Sequence, residues 1–437
     1  MHSHDPNKSV AEFQQEVVKI LHNSSAFCSQ KDRFDFTRFV FPECSFRDAT
    51  FTQITFFIGA TFTQDADFNG ATFNRDSHFR KAKFAEGAYF IGATFTQDAK
   101  FDGVTFTLGA YFVVATFTRN ADFSTAAFIR DACFHQARFA QDADFRWAKF
   151  SEKALFDLAC FGAIADFRGA SFELPSRVLF NRVNEGSPSG MRARFVNCLL
   201  EGVRFEDVHW YSEGGRLTLQ DEIDLCTKIE RATHELVSNA YRRLVNNFEK
   251  ARQYELAEQS VIGEMEMRRL NPRNFILGRK EEIAVFYMNN SVARWFGERL
   301  SVANLYRLLS IYGSSYKRAL AVLIVFLLAF ALSFSVSGLR PAKESDLKPQ
   351  CSSAVPGSPE AAVISWGCAA AHPNLARELW GTFKSGAWAS IETATFQRAR
   401  VVEPATGWGR ALAVAEIIVV PGQLALVLLA LRRRFRR

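Results

Sequence analysis

Phenylalanine recurs through the N-terminal half with a fixed spacing, and this spacing is the strongest constraint on the fold. From Phe46 to Phe172, 24 Phe residues follow one another at alternating intervals of five and six, a period of 11. The residue two positions before each Phe is Ala at 20 of the 24 places. The exceptions are Cys44, Thr55, Ser77 and Val104.

An 11-residue period can specify a right-handed coiled coil. Steps of five and six would scatter these Phe around a helix instead of forming an apolar stripe. The Thr and Asp between them favour short strands and turns. The pattern therefore predicts a solenoid in which each Phe stacks on its equivalent one coil away.

The run "GATFTQDADF" and its neighbours resemble the pentapeptide-repeat family, whose pattern is A-x-F/L-x-x. The resemblance covers residues 44–172 and implies a right-handed, four-sided parallel β-helix. The family's usual coil is four fives, whereas alternating fives and sixes make a longer coil of 22. Residues 46–172 would make about six coils, and fives resume at Phe195, Leu200 and Phe205 after a break. We expect a β-helix over residues 46–210, preceded by an N-terminal cap over 1–45 with a helix near 10–22.

The repeat alone favours a scaffold or spacer. Some family members mimic nucleic acid with an acidic surface, but residues 46–172 contain 14 acidic and 13 basic side chains. That balance is far from the charge of DNA. The net charge of the whole chain is +7, and five of those charges lie within its last six residues. We therefore expect no nucleic-acid partner.

A helical module is predicted over residues 219–310. Leu236, Ala240, Leu244 and Phe248 recur at helical spacing, and a break near 251–253 precedes a second helix, so the pattern predicts a hairpin. The aromatic-rich stretch 281–309 is amphipathic. It fits either a helix that lies along a membrane interface or an ordinary packed helix.

Two apolar segments are long enough to cross a bilayer. Residues 319–339 carry no charge, and residues 411–431 carry one, Glu416. Basic residues precede the first segment and follow the second, so the positive-inside rule places both termini in the cytoplasm. We expect a multi-pass membrane protein with residues 340–410 outside. Cys351 and Cys368 are the only cysteines of that loop and could form a disulfide there.

The segment "TATFQRARVVEPATGWGR" resembles the pore loop of two-span potassium channels. The residues that match its pattern are Thr393, Thr395, Pro404, Thr406, Gly409 and Arg410. The two glycines of the filter are replaced by Arg398 and Arg400. A ring of carbonyls that strips potassium of water needs the backbone freedom of glycine, so we reject a potassium-selective filter.

The resemblance implies a homotetramer with one pore loop per copy, over a channel-like domain at 318–437. The pore-lining candidates are Glu392, Thr393, Thr395, Arg398, Arg400 and Glu416. Arginine at the pore would favour anions and Glu392 or Glu403 cations, so the sign of the permeant ion stays open. Pro421 and Gly422 fall within the second span and are candidate hinge residues.

The leading hypothesis is an ion-conducting, oligomeric membrane protein whose cytoplasmic β-helix regulates or positions the pore and binds an unknown protein. The rival is a non-conducting, membrane-anchored scaffold or sensor. The whole chain resembles bacterial pentapeptide-repeat membrane proteins with a two-span, channel-like domain, and this resemblance implies that the chain lies in the bacterial inner membrane. We find no phosphate-binding loop, HExxH motif or catalytic triad pattern, so the sequence predicts neither an enzyme nor a cofactor or metal site.

Overall fold

The computed structural model describes residues 33–227, 233–271, 290–299, 301–337, 339–341, 402–404 and 406–435, with single positions 15, 274, 387 and 390. The chain divides into two compact units, Met1–Ser291 and Val292–Arg437. The first contains a parallel β-solenoid followed by helices. The second contains two long apolar helices and the shorter helices that precede them.

Four parallel sheets of eight, seven, eight and six strands form the solenoid, and we call them faces A, B, C and D in chain order. Face A contains Arg33–Asp35, Ile54–Phe56, Ser77–His78, Ala99–Lys100, Ala121–Asp122, Ala143–Asp144, Ile164–Asp166 and Arg192–Arg194. Face B contains Val40–Phe41, Thr61–Phe62, Lys83–Phe84, Thr105–Phe106, Ala127–Phe128, Lys149–Phe150 and Ser171–Phe172. Face C contains Cys44–Ser45, Ala66–Asp67, Ala88–Tyr89, Ala110–Tyr111, Ala132–Cys133, Ala154–Leu155, Val178–Asn181 and Arg204–Glu206. Face D contains Thr50–Phe51, Thr72–Phe73, Thr94–Phe95, Thr116–Phe117, Arg138–Phe139 and Cys160–Phe161.

The register confirms the predicted coil length. Phe84 of face B pairs with Phe62 on one side and with Phe106 on the other, each 22 positions away. Strands begin at Arg33, so residues 33–45, which the sequence assigned to the cap, include the first strands of the solenoid. Of the helix predicted near 10–22, the structure describes position 15, which is helical, and the other positions lie outside the described residues. The solenoid ends at Arg204–Glu206, close to the expected boundary at 210.

The phenylalanines fill the interior as four columns, as predicted. Within a column the rings stack almost flat: Phe62 and Phe84 lie 4.5 Å apart with planes 1° from parallel. Columns of opposite faces meet edge to face, as Phe68 of face C does with Phe57 and Phe79 of face A, at 5.7 and 5.6 Å. Both arrangements are favoured by the ring quadrupole. All of these rings are fully buried.

The small residue two positions before each Phe closes the corners. From Thr55 to Ala170 its side chain is buried, even where Ala is replaced, at Thr55, Ser77 and Val104. After each Phe of faces A and C the chain makes a tight turn; for example, the Ala60 N–H donates to the Phe57 carbonyl at 3.1 Å. The third residue of that turn has positive φ, +63° at Gly59. This turn produces the step of five, and the longer opposite corner produces the step of six.

In the described part of the first unit, three helices follow the solenoid: α1 (Gln220–Thr227), α2 (His234–Lys250) and α3 (Tyr254–Leu270). A 3₁₀ turn at Pro175–Arg177 and an antiparallel pair, Ser212–Glu213 with Arg216–Leu217, complete the regular structure described there. Thr233 caps α2, because its side chain accepts a hydrogen bond from the Leu236 N–H at 3.3 Å. Helices α2 and α3 form the hairpin that the sequence predicted.

The second unit contains α4 (Ser291–Arg299), α5 (Val302–Ser310), α6 (Tyr316–Ser337) and α7 (Gly407–Phe435), and an antiparallel pair, Leu339–Pro341 with Val402–Pro404. Helices α6 and α7 pack together along a seam. The buried residues of α7 from Ala413 onward follow one another at alternating intervals of three and four positions. They are Ala413, Glu416, Val420, Gln423, Val427 and Ala430. This spacing is typical of left-handed helix packing.

Both α6 and α7 are long and apolar enough to span a membrane. Only 17% and 28% of the residues in their most apolar windows are buried within the chain. A core helix of a soluble protein would be mostly buried, so this exposure favours helices that face lipid.

Truncating a stacked ring tests the Phe columns. We expect Phe112→Ala to lower the free energy of unfolding by about 3–5 kcal/mol, because the closed interior cannot collapse around the cavity. Val114→Ala is the matched control, because the Val114 side chain lies two residues away and is exposed. It should lower the free energy of unfolding much less. Urea unfolding followed by far-UV circular dichroism measures both. Equal losses would show that the rings do not support the solenoid.

Candidate interaction surface

Three of the four solenoid faces present polar side chains. Face D carries a row of Thr72, Thr94 and Thr116, and face B mixes Thr with Lys. Face A is rich in charge but neutralises itself: Arg80 pairs with Asp102 at 2.8 Å and Arg146 with Asp144 at 2.6 Å. Such exposed pairs leave little net field, so these faces fit a solvated surface.

Face C differs because its outward side chains become apolar along five consecutive coils. They are Tyr89, Tyr111, Cys133, Leu155 and Leu179, each directly in register with the next. The two tyrosine rings stack at 5.2 Å with planes 9° apart. Corner residues that are themselves exposed widen this strip: Ile91, Leu108, Val114 and Ile129. We call these nine residues the face C patch.

Charged residues border the face C patch at both ends. Before it lie Glu43, Asp65 and Asp67 with a single base, Arg47, which pairs with Asp67 at 3.0 Å. Beyond it lie Arg177 and Arg204, and Arg204 pairs with Glu206 at 2.5 Å. Acidic side chains therefore prevail before the patch, whereas the basic ones beyond it are accompanied by acids such as Glu206 and Asp207. Partial burial and the charge of Asp65 raise the pKa of Tyr89, which keeps its phenol neutral.

Helix α2 covers the C-terminal end of the solenoid, where the last coil has no following strand. The Asn247 side chain donates to the Leu200 carbonyl at 2.6 Å and accepts from the Gly202 N–H at 2.9 Å. Arg243 donates to the Cys198 carbonyl. Phe248 packs its ring against those of Phe205 and Trp210. The helical module thus caps the solenoid, because its side chains form hydrogen bonds with backbone groups of the last coil. Repeat proteins require such a cap at an open end.

A buried ionic cluster joins α1 to the last coils of face A. Asp166 accepts hydrogen bonds from Arg168 and from Arg194, at 2.5 and 3.1 Å. Arg194 also pairs with Asp224 of α1 at 2.7 Å. The neighbouring Asp221 accepts from the Phe195 N–H at 2.6 Å. Burial raises the pKa of Asp221 to about 7, and its hydrogen bond to the backbone opposes the rise. The cluster contains three carboxyl groups and two guanidinium groups. Its net charge is therefore zero when Asp221 is protonated.

A second buried group fixes the strand pair to the helices. Arg216 forms an ion pair with Glu222 of α1, and the Tyr241 hydroxyl donates to Glu222 at 2.6 Å. The same hydroxyl accepts from the Leu219 N–H at 2.9 Å. Burial raises the pKa of Tyr241, so it remains a donor. This group fixes the strand pair and helix α1 against α2.

Of the candidate pore residues, Glu416 lies among the described residues. It is fully buried on α7, and the Ser390 hydroxyl donates to its carboxylate. Glu392, Thr393, Thr395, Arg398 and Arg400 lie outside the described residues, as do Cys351 and Cys368. Pro421 and Gly422 lie inside α7, which continues through them to Phe435. The pore assignment and the hinge therefore stay predictions.

The sequence analysis did not predict that α2 caps the C-terminal end of the solenoid, nor did it predict a polar contact between the two apolar helices. The buried Gln423 of α7 donates to the Ala319 carbonyl of α6 at 2.8 Å and to the Leu309 carbonyl at 3.3 Å. A polar side chain in the middle of an apolar span is a signal that could have found it. The face C patch was also missed, although writing the sequence in rows of one coil aligns its members.

Comparison with known families supports the repeat. A family model described as "Pentapeptide repeats (9 copies)" matches residues 36–83 and 79–127. No curated protein and no solved structure matches the chain. The matched residues occupy the coils described above, so this part of the chain consists of pentapeptide repeats built into a β-solenoid.

The protonation of Asp221 makes the stability of the first unit depend on pH. Its pKa is about 7 in the folded chain against an ordinary 3.8, so the folded state holds the proton more tightly. The free energy of unfolding should therefore fall as pH rises from about 4 to 7 and level off above. Asp221→Asn keeps an acceptor for the Phe195 N–H and should flatten this fall.

Asp142→Asn is the matched control for that experiment. Asp142 also accepts one backbone hydrogen bond, from the Ile164 N–H at 3.0 Å, but it is exposed. Urea unfolding between pH 5 and 8 gives the slopes of the three chains. An Asp221→Asn slope equal to that of the wild type would contradict the assignment.

Proposed function

We propose that this chain is a membrane-anchored interaction scaffold whose solenoid binds a protein through the face C patch. The observation that supports it is the patch itself: nine apolar residues, five of which lie in register on successive coils of one face. The strand register holds these side chains in one row, so the apolar area that their mutual contacts leave exposed persists until a partner covers it. Solenoids commonly use such extended surfaces for binding.

Helices α6 and α7 supply the anchor in this proposal. Their apolar surfaces are mostly exposed. Lys317 and Arg318 lie in the first turn of α6, and the arginines from Arg432 lie at the end of α7 and beyond it. The positive-inside rule therefore sets these two helix ends on the same side of the bilayer. We place both termini and the solenoid in the cytoplasm of a bacterial cell, with α6 and α7 in the inner membrane. The anchor would then hold the solenoid near a membrane surface.

Site-specific photo-crosslinking tests the interaction role in cells. A benzophenone amino acid at Tyr111 on face C should give a discrete adduct in the membrane fraction. The same amino acid at Thr116, on face D of the same coil, is the control and should not. Both side chains are half-buried, so access to the probe is comparable. Equal labelling at the two positions, or none at either, would contradict an interaction surface on face C.

A homotetrameric pore is the second candidate function, and the buried Glu416 favours it. An acidic side chain in an apolar span is costly and usually serves a function. One pore loop and two spans cannot enclose a path for ions, because polar backbone would then face lipid, so several copies would surround a shared axis. Glu392, Thr393, Thr395, Arg398 and Arg400 would line it beside Glu416.

Planar bilayers containing the purified chain test the pore. Rings of Arg398 and Arg400 should make a wide, wet path with poor selectivity among ions of one sign. Replacing both by Gln should shift the reversal potential toward that of cations in a salt gradient, and Glu416→Gln should shift it the opposite way. The pore function would be contradicted if the tetramer passed no current under voltage, tension or ligand and neither variant changed that result. The scaffold function would then remain.

A further inference from the structure

We propose that α5 is a third membrane contact: it lies in the headgroup layer at the basic end of the two spans and binds an anionic phospholipid. Its leucines reach the acyl chains, and the basic residues around it bind the lipid phosphate. This inference rests on the proposed anchor, because it needs α6 and α7 to span the bilayer. It decides between the two alternatives that the sequence left open for the amphipathic stretch around α5.

The distribution of exposed residues on α5 supports contact with lipid. Leu305 and Leu308 are 55% and 50% exposed, whereas Ser301 at the N-cap, Asn304 and Ser310 are buried. A helix packed on a water-soluble protein has the opposite arrangement, because its leucines leave water and its polar residues face it. The exposed face of α5 therefore suits an apolar medium.

The buried polar groups of α5 are satisfied by the chain itself. The Ser301 side chain accepts from the Asn304 N–H at 3.1 Å, and the Asn304 side chain donates to the Arg299 carbonyl at 3.0 Å. At the other end, the Ser310 hydroxyl accepts from the Gly313 N–H at 2.9 Å. Because these groups have partners within the chain, the helix can border hydrocarbon without exposing them to it.

Contacts at its C-terminal end attach α5 to both spans. Arg318, in the first turn of α6, donates to the Leu308 carbonyl at 3.0 Å, and Gln423 of α7 donates to the Leu309 carbonyl. Residues 311–313 all have positive φ, so the chain turns between α5 and α6 and does not continue as one helix. The exposed apolar surface of α6 begins at Leu320, two residues beyond Arg318, so the lipid-facing surface begins where α5 is attached.

The charge around α5 points to an anionic lipid. Between positions 299 and 318 the sequence contains no acidic residue and four basic ones, Arg299, Arg307, Lys317 and Arg318, all of which are exposed. Cations near a bilayer surface strengthen its binding when the headgroups are anionic. Arg299 also lies 4.2 Å above the ring of Trp295, an exposed aromatic of the kind that is enriched at membrane interfaces.

Fluorescence quenching of the full chain in lipid vesicles tests the position of α5. A fluorescent amino acid at Leu305 should be quenched by lipids that carry a nitroxide near the headgroup, more than by lipids that carry it near the end of the acyl chain. The same amino acid at Leu328, an exposed position within α6, should show the reverse order. At Leu199, an equally exposed leucine of the solenoid, only aqueous iodide should quench it.

Native mass spectrometry of the full chain in detergent tests the choice of lipid. Phosphatidylglycerol should bind more tightly than phosphatidylcholine, and replacing both Arg307 and Lys317 by Gln should weaken phosphatidylglycerol binding about tenfold. Replacing both Arg119 and Lys153 by Gln is the matched control, because these exposed residues of the solenoid carry the same charge. Circular dichroism verifies that each variant folds.

The outcomes separate this inference from the anchor on which it rests. If iodide quenches Leu305 as strongly as Leu199 while lipid quenches Leu328, α5 does not touch the bilayer and the anchor stands. If lipid quenches neither Leu305 nor Leu328, both are wrong. Equal binding of the two lipids, or an equal loss in the control pair, would overturn an anionic lipid as the ligand.

Discussion

Ring stacking at a fixed interval is the constraint on which the rest of the first unit depends. Flat contacts such as the one between Phe117 and Phe139, 4.9 Å apart, hold every coil to the same length. Once the coil length is fixed, every outward position is fixed as well, because residues one coil apart fall in one row. Each face can therefore have its own chemistry, with ion pairs on face A and an apolar strip on face C. This is possible because the strand register is the same from coil to coil.

The same regularity creates a problem at the ends, because a parallel stack leaves unpaired backbone groups on its last coil. Here polar side chains of α2 occupy them, and Gln253 adds a hydrogen bond to the Phe205 carbonyl at 2.8 Å. The helical module that follows the repeat is therefore part of the same folding unit. A fragment that stops at Trp210 would remove the partners of these groups while keeping every repeat.

The repeat, its coil length, its buried Phe and Ala, the helical hairpin and the two apolar helices could all be predicted, because each is encoded by local periodicity. The cap could not. Asn247 and Arg243 are ordinary polar residues of a helix until the three-dimensional fold brings carbonyls to them. The ionic cluster around Asp221 is similar, since its members come from positions 166 to 224 and no short motif links them. Glu416 was identified because a charge in an apolar span is conspicuous, but its contact with Ser390 spans 26 positions and has no local signature.

The two kinds of corner determine which insertions and deletions this solenoid can accept during evolution. A duplication or loss of one whole coil would lengthen or shorten the stack by about 4.8 Å and leave every later row on its original face. A change of half a coil would preserve the Phe spacing equally well, yet it would rotate all later rows by half a turn and exchange face A with face C. Insertions within a corner are different again: between Leu155 and its neighbour Leu179 the chain carries two additional residues, held by the 3₁₀ turn Pro175–Arg177, and the stack continues in phase. Families built on such a coil should therefore vary in length by whole coils and in corner size by small insertions, whereas half-coil changes should be rare wherever one face has acquired a partner.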